Sequence, residues 1–207
     1  DIGLTDVEQV YDGNDYGLTL PETIRTSAGK LTVADVFEAA YTHQGNTTGD
    51  NPTFIDAAVY PVTVTLTDPK GNLKPEPATA SVTILPRPLT IAYGAVSEDY
   101  DAAPHSVDRT VTGLVARDAL TVTDVNREAT DATRLPDDSF GALTVTAADY
   151  QLTDAIDTTI DRAGNYDVTV TDGSLEILPL PLTVTAGTAT YIYNAVQQRV
   201  DTYTLRG

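Results

Sequence analysis

A seven-residue sequence that occurs twice constrains the fold of this chain more than any other feature. It reads Ile-Leu-Pro-Arg-Pro-Leu-Thr at residues 84–90 and Ile-Leu-Pro-Leu-Pro-Leu-Thr at residues 177–183, so the second copy begins 93 residues after the first. Self-similarity at a fixed spacing is the sequence signature of tandem repeats. The sequence therefore predicts a first module at residues 1–86, a second at 87–179 and the truncated start of a third at 180–207.

The residues that follow each proline-rich join also correspond. The matching positions are Gly94 with Gly187, Tyr100 with Tyr193, Asp101 with Asn194, Ala102 with Ala195 and Val107 with Val200. In the first module Tyr11 takes the place of Tyr100, and the dipeptide Asp12-Gly13 follows it. Asp-Gly is a strong turn signal, because Gly tolerates positive φ and Asp can bond its own backbone. We therefore expect a turn after each of these tyrosines.

The patterning predicts a mainly β protein. Alternation of apolar residues with Thr predicts strands at 59–66 and 81–85 in the first module. In the second module it predicts strands at 89–92, 107–115, 120–125, 142–146, 166–171 and 175–178. Thr-rich and Val-rich strands separated by turns every ~8 to 12 residues are typical of a β-sandwich. We expect tandem Ig-like β-sandwich modules in an elongated array, with a β-grasp-like topology left open.

The first module departs from this pattern in one stretch. Its apolar residues follow the i, i+3, i+4, i+7, i+8 spacing of one helical face, and they are Val33, Val36, Phe37, Ala40 and Tyr41. Thr32 with Asp35 three residues later approximates a capping box. We therefore predict a short helix over about residues 33–41 with Phe37 in the core. The polar residues 43–52 then predict an exposed loop.

The charge of the chain excludes several classes of partner. Against 12 Lys and Arg stand 30 Asp and Glu, which gives a formal net charge of −18 and a pI near 4.1. Such a field repels phosphate backbones and anionic lipid surfaces. There is no Cys, which excludes disulfides and thiolate metal sites. We expect no nucleic-acid partner and no direct membrane insertion.

No constellation of residues points to catalysis. The segment His105-Ser106-Val107-Asp108 holds three residue types of a hydrolase triad, but neighbours on an extended segment point in alternating directions and cannot form a relay. At this acidic composition no carboxylate pair can be singled out as a glycosidase site. The sequence therefore predicts a non-enzymatic protein.

Calcium is the one cofactor that the residues suggest. Side chains with oxygen atoms lie a few residues apart, as ligands from a single loop would, in two groups. These groups are Asp12, Asn14 and Asp15 in the first module and Asp161, Asn165 and Asp167 in the second. Neither group matches the 12-residue EF-hand register with its closing Glu. Ordinary Asx turn chemistry explains the same residues. The sequence leaves both interpretations open and favours the turns.

Two stretches of the second module carry a resemblance to a known family. They are residues 112–122, Thr-Gly-Leu-Val-Ala-Arg-Asp-Ala-Leu-Thr-Val, and residues 162–170, Arg-Ala-Gly-Asn-Tyr-Asp-Val-Thr-Val. Together with the Leu-Thr-Val start and the turn after Tyr100, they resemble the MBG and YDG repeats of bacterial surface proteins. That resemblance implies Ig-like or β-grasp-like units in tandem within large cell-wall-associated adhesins, and it transfers no catalytic residue.

Two functions follow from that resemblance. In the first, which we prefer, the modules are monomeric units of a longer chain at the bacterial cell surface or cell wall, where they form a stalk that projects a distal binding head. In the second, the first module itself binds a host glycan or an extracellular-matrix protein. The residues predicted to contact such a ligand are Tyr16, Tyr41, His43, Gln44 and Asn46. Aromatic rings of this kind can stack on sugars, although repeat-position tyrosines are better suited to core packing.

Residues 180–207 repeat the opening of the second module. Their apolar side chains Leu182, Val184, Tyr193 and Val200 belong to faces that a complete module would bury. An isolated strand pair is marginal in water, and an exposed strand edge invites pairing with another sheet. Two outcomes stay open, in which this tail either adds to a sheet edge of another copy or lies partly folded at the end of the second module.

Overall fold

The computed structural model describes residues 2–26 and 29–207, and within them the chain is mainly β, as the sequence predicts. Apart from one α-helical turn, α1 (Val33–Val36), and one 3-10 turn at Ala163–Asn165, the regular elements are strands. The strands are β1 (Val7–Val10), β2 (Thr23–Thr26), β3 (Gly29–Thr32), β4 (Glu38–His43), β5 (Asn46–Thr48), β6 (Ala58–Thr67), β7 (Ala78–Leu85), β8 (Arg87–Tyr93), β9 (Ala95–Asp99), β10 (His105–Ser106), β11 (Arg109–Thr112), β12 (Asp118–Val125), β13 (Glu128–Ala129), β14 (Leu143–Asp154), β15 (Tyr166–Thr171), β16 (Gly173–Leu178), β17 (Thr183–Ala186) and β18 (Tyr203–Arg206).

The chain divides into two compact units. The first unit contains the described residues up to Ile91 together with Val111–Thr123 and Asp149–Val170. The second unit contains Ala92–Thr110, Asp124–Ala148 and Thr171–Gly207. These units follow packing, whereas the module boundaries at 86/87 and 179/180 follow the repeat in the sequence and stay a prediction.

A five-stranded sheet in the order β1–β7–β6–β4–β5 organises the first unit. Strand β1 runs parallel to β7, and the other neighbours are antiparallel. Alternate residues of β6 and β7 face the core, which confirms the alternation predicted at 59–66 and 81–85; the buried ones are Val62, Val64, Leu66, Ala80, Val82 and Ile84. Leu89, Leu152 and Tyr166 belong to the same core.

The helix predicted over residues 33–41 is wrong beyond its first turn. Helix α1 ends at Val36, and Phe37 has extended backbone angles, φ −123° and ψ 148°. Strand β4 then begins at Glu38 and pairs with β6. The apolar residues of this segment fit a helical period at 33, 36, 37, 40 and 41, and they fit a strand period at 37, 39 and 41. Pairing with β6 supplies hydrogen-bond partners for the backbone and so decides for the strand. Phe37 is buried, as predicted.

The loop predicted at residues 43–52 is in part a β-hairpin. Strands β4 and β5 pair through His43 and Asn46. The two-residue connection has positive φ at both positions, 49° at Gln44 and 81° at Gly45. That is the backbone of a type I′ turn, which matches the twist of the flanking strands. The polar composition therefore predicted the exposure of this segment correctly but did not indicate that part of it is strand β5.

Most of the strands predicted in the second module are confirmed: they lie within β8, β12, β15 and β16, and the one predicted at 142–146 overlaps β14 from residue 143. Of the single strand predicted at 107–115, only residues 109–112 form a strand, which is β11. Strand β11 ends before Gly113 because the φ of this residue, +97°, lies outside the β region, and glycine is needed there since a Cβ would lie 2.2 Å from the Pro88 carbonyl oxygen. The remaining sheets have the strand orders β11–β8–β15, β12–β14–β16–β9, β10–β13, β2–β3 and β17–β18.

Several mainly antiparallel sheets of this kind are consistent with a β-sandwich, while the tandem array stays a prediction. Buried residues of the second unit include Val107, Val145, Leu175 and Ile177. Thr133 is buried among them, where its hydroxyl donates to the Gly141 carbonyl and accepts the Ile177 N–H. Among the described residues, no helix is long and apolar enough to cross a membrane.

The tail forms an antiparallel strand pair, β17 with β18, and every residue of both strands is exposed. Gly187 N–H donates to the Thr202 carbonyl at 2.7 Å, as Gly94 N–H donates to the Asp108 carbonyl at 3.0 Å in the second module. The tail thus begins a copy of the ribbon that opens the second module. Its pairing with another molecule stays a prediction.

Candidate functional site

The two modules share a parallel pairing of an early strand with the last strand. Strand β1 pairs with β7, and β9 pairs with β16, which ends just before the second proline join. At the end of the first pair, Tyr11 N–H donates to the Leu85 carbonyl at 2.9 Å. At the end of the second, Tyr100 N–H donates to the Leu178 carbonyl at 2.8 Å. The repeat in the sequence therefore has a counterpart in hydrogen bonding.

An Asx turn follows each tyrosine of the repeat, and we call the three of them the Tyr–Asx turns. In each, the Asp or Asn Oδ1 accepts the N–H two residues later, from Asn14 to Asp12 at 2.9 Å, from Ala103 to Asp101 at 2.8 Å and from Val196 to Asn194 at 3.1 Å. The residue between them has positive φ, 81° at Gly13, 63° at Ala102 and 59° at Ala195. The predicted turn after Tyr11 is confirmed, and its geometry recurs at the other two positions.

A side chain four residues after the Asp or Asn closes every Tyr–Asx turn. The donors are the Tyr16 hydroxyl to Asp12 at 2.7 Å, His105 Nε2 with Asp101 at 3.0 Å and Gln198 Nε2 to Asn194 at 2.7 Å. The Tyr16 hydroxyl and the Asn14 N–H hold the pKa of Asp12 below its usual value. Sequence reasoning missed these donors, although their constant offset from the Asp or Asn could have revealed them.

Four of the six side chains predicted to hold calcium, Asp12, Asn14, Asp161 and Asn165, make hydrogen bonds within the protein. Asp161 accepts the Ala163 N–H at 2.8 Å, and Asn165 binds both the Asp56 carboxylate and the Ala57 N–H. Asp15 and Asp167 are exposed. Within residues 2–26 and 29–207 no group of three or more His, Cys, Asp or Glu side chains is placed to hold a metal ion. Calcium binding stays a prediction.

A buried carboxylate lies beneath the first Tyr–Asx turn. Asp118 Oδ2 accepts the hydroxyls of Tyr11 at 2.7 Å and Tyr166 at 2.6 Å, and the Asp118 side chain is 0% exposed. The two rings meet edge to face with centroids 5.5 Å apart. Burial, and then the bond to the carboxylate, raises the pKa of both tyrosines. Both phenols therefore stay protonated and act as donors.

Arg162 supplies the positive charge of this cluster, and its side chain is only 7% exposed. It donates to Asp154 at 2.9 Å and to Asp56 at 2.6 Å. Its Nε lies 3.8 Å from Asp118 Oδ1, and neither of these two buried atoms has a hydrogen-bond partner within the described residues. The bond to Arg162, with N–H groups of the following loop, holds the pKa of Asp154 well below its usual range.

The turn at residues 115–118, which we call the Arg–Asp turn, packs against the Tyr11 turn. Asp118 N–H donates to the Val115 carbonyl at 3.0 Å, which closes it. Arg117 then donates to the Gly13 carbonyl at 2.9 Å. A Cβ on Gly13 would lie 2.6 Å from Arg117 Cδ, so glycine permits this close approach. The sequence leaves residues 116–119 between two predicted strands and does not indicate what they contact.

A second carboxylate, Asp124, is bound in a different way. Arg109 binds both of its oxygens, at 2.8 and 2.9 Å, and Arg127 adds a bond at 3.2 Å. The Tyr93 hydroxyl donates to it at 2.5 Å. Burial pushes the pKa of Asp124 up, and the bonds from Tyr93 and Arg109 bring it below its usual value.

The residues predicted to bind a ligand differ in their solvent exposure. Tyr41 is buried, so its ring offers no face to a ligand. His43 is half-buried and its Nδ1 lies 2.9 Å from the Pro61 carbonyl oxygen, while Gln44 and Asn46 are exposed at the hairpin tip. Tyr16 pairs through its backbone with Phe54. Ligand binding by these residues stays a prediction.

Sequence reasoning missed an aromatic group beside this hairpin. Phe54 and Tyr60 stack with centroids 4.1 Å apart, and the His43 ring lies 4.8 Å from Phe54. All three rings are half-buried. No sequence signal connects them, because they come from β4, a loop and β6.

No family model and no curated protein matches this chain. Among solved structures, Drosophila N-cadherin EC1-4 is similar at 12% identity with a TM-score of 0.27, and the match covers 86% of this chain and 48% of the cadherin. The Bacteroides ovatus mixed-linkage glucan utilization locus SGBP-B, in complex with a mixed-linkage heptasaccharide, is similar at 10% identity with a TM-score of 0.27, over 92% of this chain and 70% of that one. The chain thus spans about half of the cadherin structure, and similarities this weak support no argument about function.

Proposed function

We propose that this chain is a non-catalytic repeat segment of a bacterial cell-surface protein and that it acts as a spacer under tension. The observation that carries the proposal is the parallel pairing of an early strand with the last strand in both modules, β1 with β7 and β9 with β16. The resemblance to MBG and YDG repeats supports the surface location.

Parallel terminal strands suit a chain that is pulled from its ends. When two parallel strands are drawn in opposite directions, the evenly spaced bonds between them are loaded together in shear. An antiparallel hairpin pulled from its two ends instead opens one bond pair at a time. In the first module this arrangement joins the first strand to the last, and in the second it joins the last strand, β16, to β9, the strand that follows β8.

The proline joins support the same role. Each final strand leads directly into a Pro-X-Pro join, at residues 86–88 and 179–181. Proline fixes its own φ and restricts the residue before it, so these joins bend less than ordinary linkers. The net charge of −18 keeps neighbouring copies apart at a crowded surface.

The test is force spectroscopy of the full chain held by its two ends, with two proline variants of β1. Tyr11 N–H faces β7, and because strand residues alternate, Gln9 N–H faces it too while Val10 N–H faces away. Gln9→Pro should therefore lower the unfolding force, and Val10→Pro, at the free edge of the same strand, should leave it nearly unchanged. Equal forces for the wild type and both variants would contradict the spacer under tension.

One observation favours a second candidate function, ligand binding by the first module. The aromatic group of His43, Phe54 and Tyr60 lies beside the exposed amides of Gln44 and Asn46, an arrangement of apolar faces and hydrogen-bond donors that suits a sugar. A host glycan or a matrix protein would be the partner. A glycan and matrix-protein array probed with the wild type and with His43→Ala tests it, and binding equal in both would reject this site.

A further inference from the structure

We infer that the Tyr100 turn is a docking surface for the Arg–Asp turn of a third repeat in the same polypeptide. The inference deepens the proposed spacer function, since it describes how one repeat is fixed to the next. It rests on a comparison between the Tyr11 turn, which is covered, and the Tyr100 turn, which has the same construction and is open.

The two turns agree bond for bond. Each follows a parallel strand pair that ends with the tyrosine N–H donating to a leucine carbonyl. In each, an Asp accepts the N–H two residues later and a side chain four residues later, Tyr16 in one and His105 in the other. Agreement at three successive bonds makes the first turn a template for what the second can contact.

The Arg–Asp turn covers the tyrosine of the first of them. Tyr11 is 0% exposed, and its hydroxyl is bonded to Asp118. The guanidinium of Arg117 caps the Gly13 carbonyl, and that of Arg87 lies 3.4 Å from the Tyr11 carbonyl oxygen. These contacts satisfy the polar atoms of the turn and exclude water from the ring.

The second turn offers the same atoms without these partners. The Tyr100 hydroxyl has no hydrogen-bond partner in the part of the chain that the structure describes, and its ring is half-buried. A groove of about 460 Å³ opens beside it, lined by Phe140, Leu180 and Leu182 among others. Asp131 and Arg134 also line the groove and can face the arginine and the aspartate of an incoming Arg–Asp turn.

The tail identifies the partner as a further repeat. Strands β17 and β18 begin a copy of the ribbon that, in the second module, leads through Gly113 into the Arg–Asp turn. The contact would differ in two residues. Leu180 occupies the repeat position of Arg87, and Ala102 occupies that of Gly13, where a Cβ comes close to a flexible arginine side chain. The second contact is therefore more apolar than the first. The arginine of the third repeat that corresponds to Arg117 must shift slightly to make room for the Ala102 Cβ.

The experiment extends the full chain after Gly207 with a second copy of residues 114–179, so that a third repeat carries its own Arg–Asp turn. Tyr100→Phe is then compared in the 207-residue chain and in the extended chain by urea unfolding. We expect no change in the 207-residue chain and about a fivefold or larger loss in the folding equilibrium constant in the extended chain, because a buried carboxylate then loses a donor.

A double-mutant cycle identifies the partner atom. Changing the appended copy of Asp118 to Asn should remove most of the effect of Tyr100→Phe, since paired residues are not additive. The inference would be overturned if Tyr100→Phe had equal effects in both chains or if the effects in the cycle were additive. It would also be overturned if the backbone amides of the appended repeat showed no protection from hydrogen exchange. The force measurement on β1 uses the 207-residue chain alone, so the two proposals can fail separately.

Discussion

Asp118 and Asp124 lie six positions apart on β12, and each accepts a tyrosine hydroxyl, yet the structure stabilises them by different means. Asp118 is 0% exposed and its bonds come from two neutral phenols, with the nearest guanidinium nitrogen 3.8 Å away. Asp124 is 16% exposed and is bound by two arginines in addition to Tyr93.

The difference teaches how much each carboxylate depends on any one partner. A buried charge that loses a donor has no water to replace it, so the full desolvation cost appears. A partly exposed charge with two cations keeps other partners when one donor is lost. We therefore expect substitutions around Asp118 to cost more than equivalent substitutions around Asp124.

The largest effect is expected for Arg162→Gln. This change leaves the buried Asp118 without its nearby guanidinium and leaves Asp154 with only the longer contact to Arg117, at 3.6 Å, so it should lower the free energy of unfolding by about 3–5 kcal/mol. Denaturant unfolding of the full chain measures it. The matched control is Arg134→Gln, which removes an exposed ion pair with Asp138 and should cost less than about 1 kcal/mol. Similar losses for both arginines would contradict the distinction.

An intermediate effect is expected for Tyr11→Phe. Loss of its hydroxyl leaves Asp118 with one donor and should cost about 1–3 kcal/mol, whereas Tyr93→Phe leaves Asp124 with both arginines and should cost less than about 1 kcal/mol. Urea midpoints of the two variants give the comparison.

Tyr16→Phe is the control for Tyr11→Phe, because it removes a phenol-to-carboxylate bond of equal length, 2.7 Å, at a half-buried position. It should change the midpoint least. A loss for Tyr16→Phe as large as that for Tyr11→Phe would show that depth is not what distinguishes these bonds.

The smallest effect is expected in the pH dependence. Folding lowers the pKa of Asp154 through its bond to Arg162, and that of Asp124 despite its burial. A lowered pKa stabilises the folded state above the unfolded value of about 3.9, and this stability is lost as pH falls from about 4 through the folded value. Urea midpoints between pH 6 and pH 2 should fall less steeply in Asp154→Asn. An unchanged slope would mean that other carboxylates dominate the acid transition.

The sequence predicted those parts of the fold that have a local period or a local turn signal. Strand β15 was predicted to the residue, and the turn after Tyr11 was predicted from Asp12-Gly13. Residues 37–41 fit both a helix and a strand, so only pairing with β6 could decide, and that pairing joins residues such as Tyr41 and Val64.

The cluster around Asp118 could not be predicted in the same way. Tyr11 and Asp118 are 107 positions apart, and Arg162 bonds Asp56 across 106. No periodicity connects single residues at such distances. In the sequence, Asp118 and Arg162 belong to the two separate stretches that carry the family resemblance, and only their packing reveals them as one buried network.

The long separation between β1 and β7 determines the order in which the first module can form. The turn after Tyr11 closes within a few residues, whereas β1 finds its partner only when residue 82 is available, and the Tyr11 hydroxyl finds Asp118 later still. Loop closure over such spans is entropically costly and slow. During vectorial synthesis, β1 therefore stays an unpaired edge until β7 is available, and the bond of Asp118 to Tyr166 forms only after that.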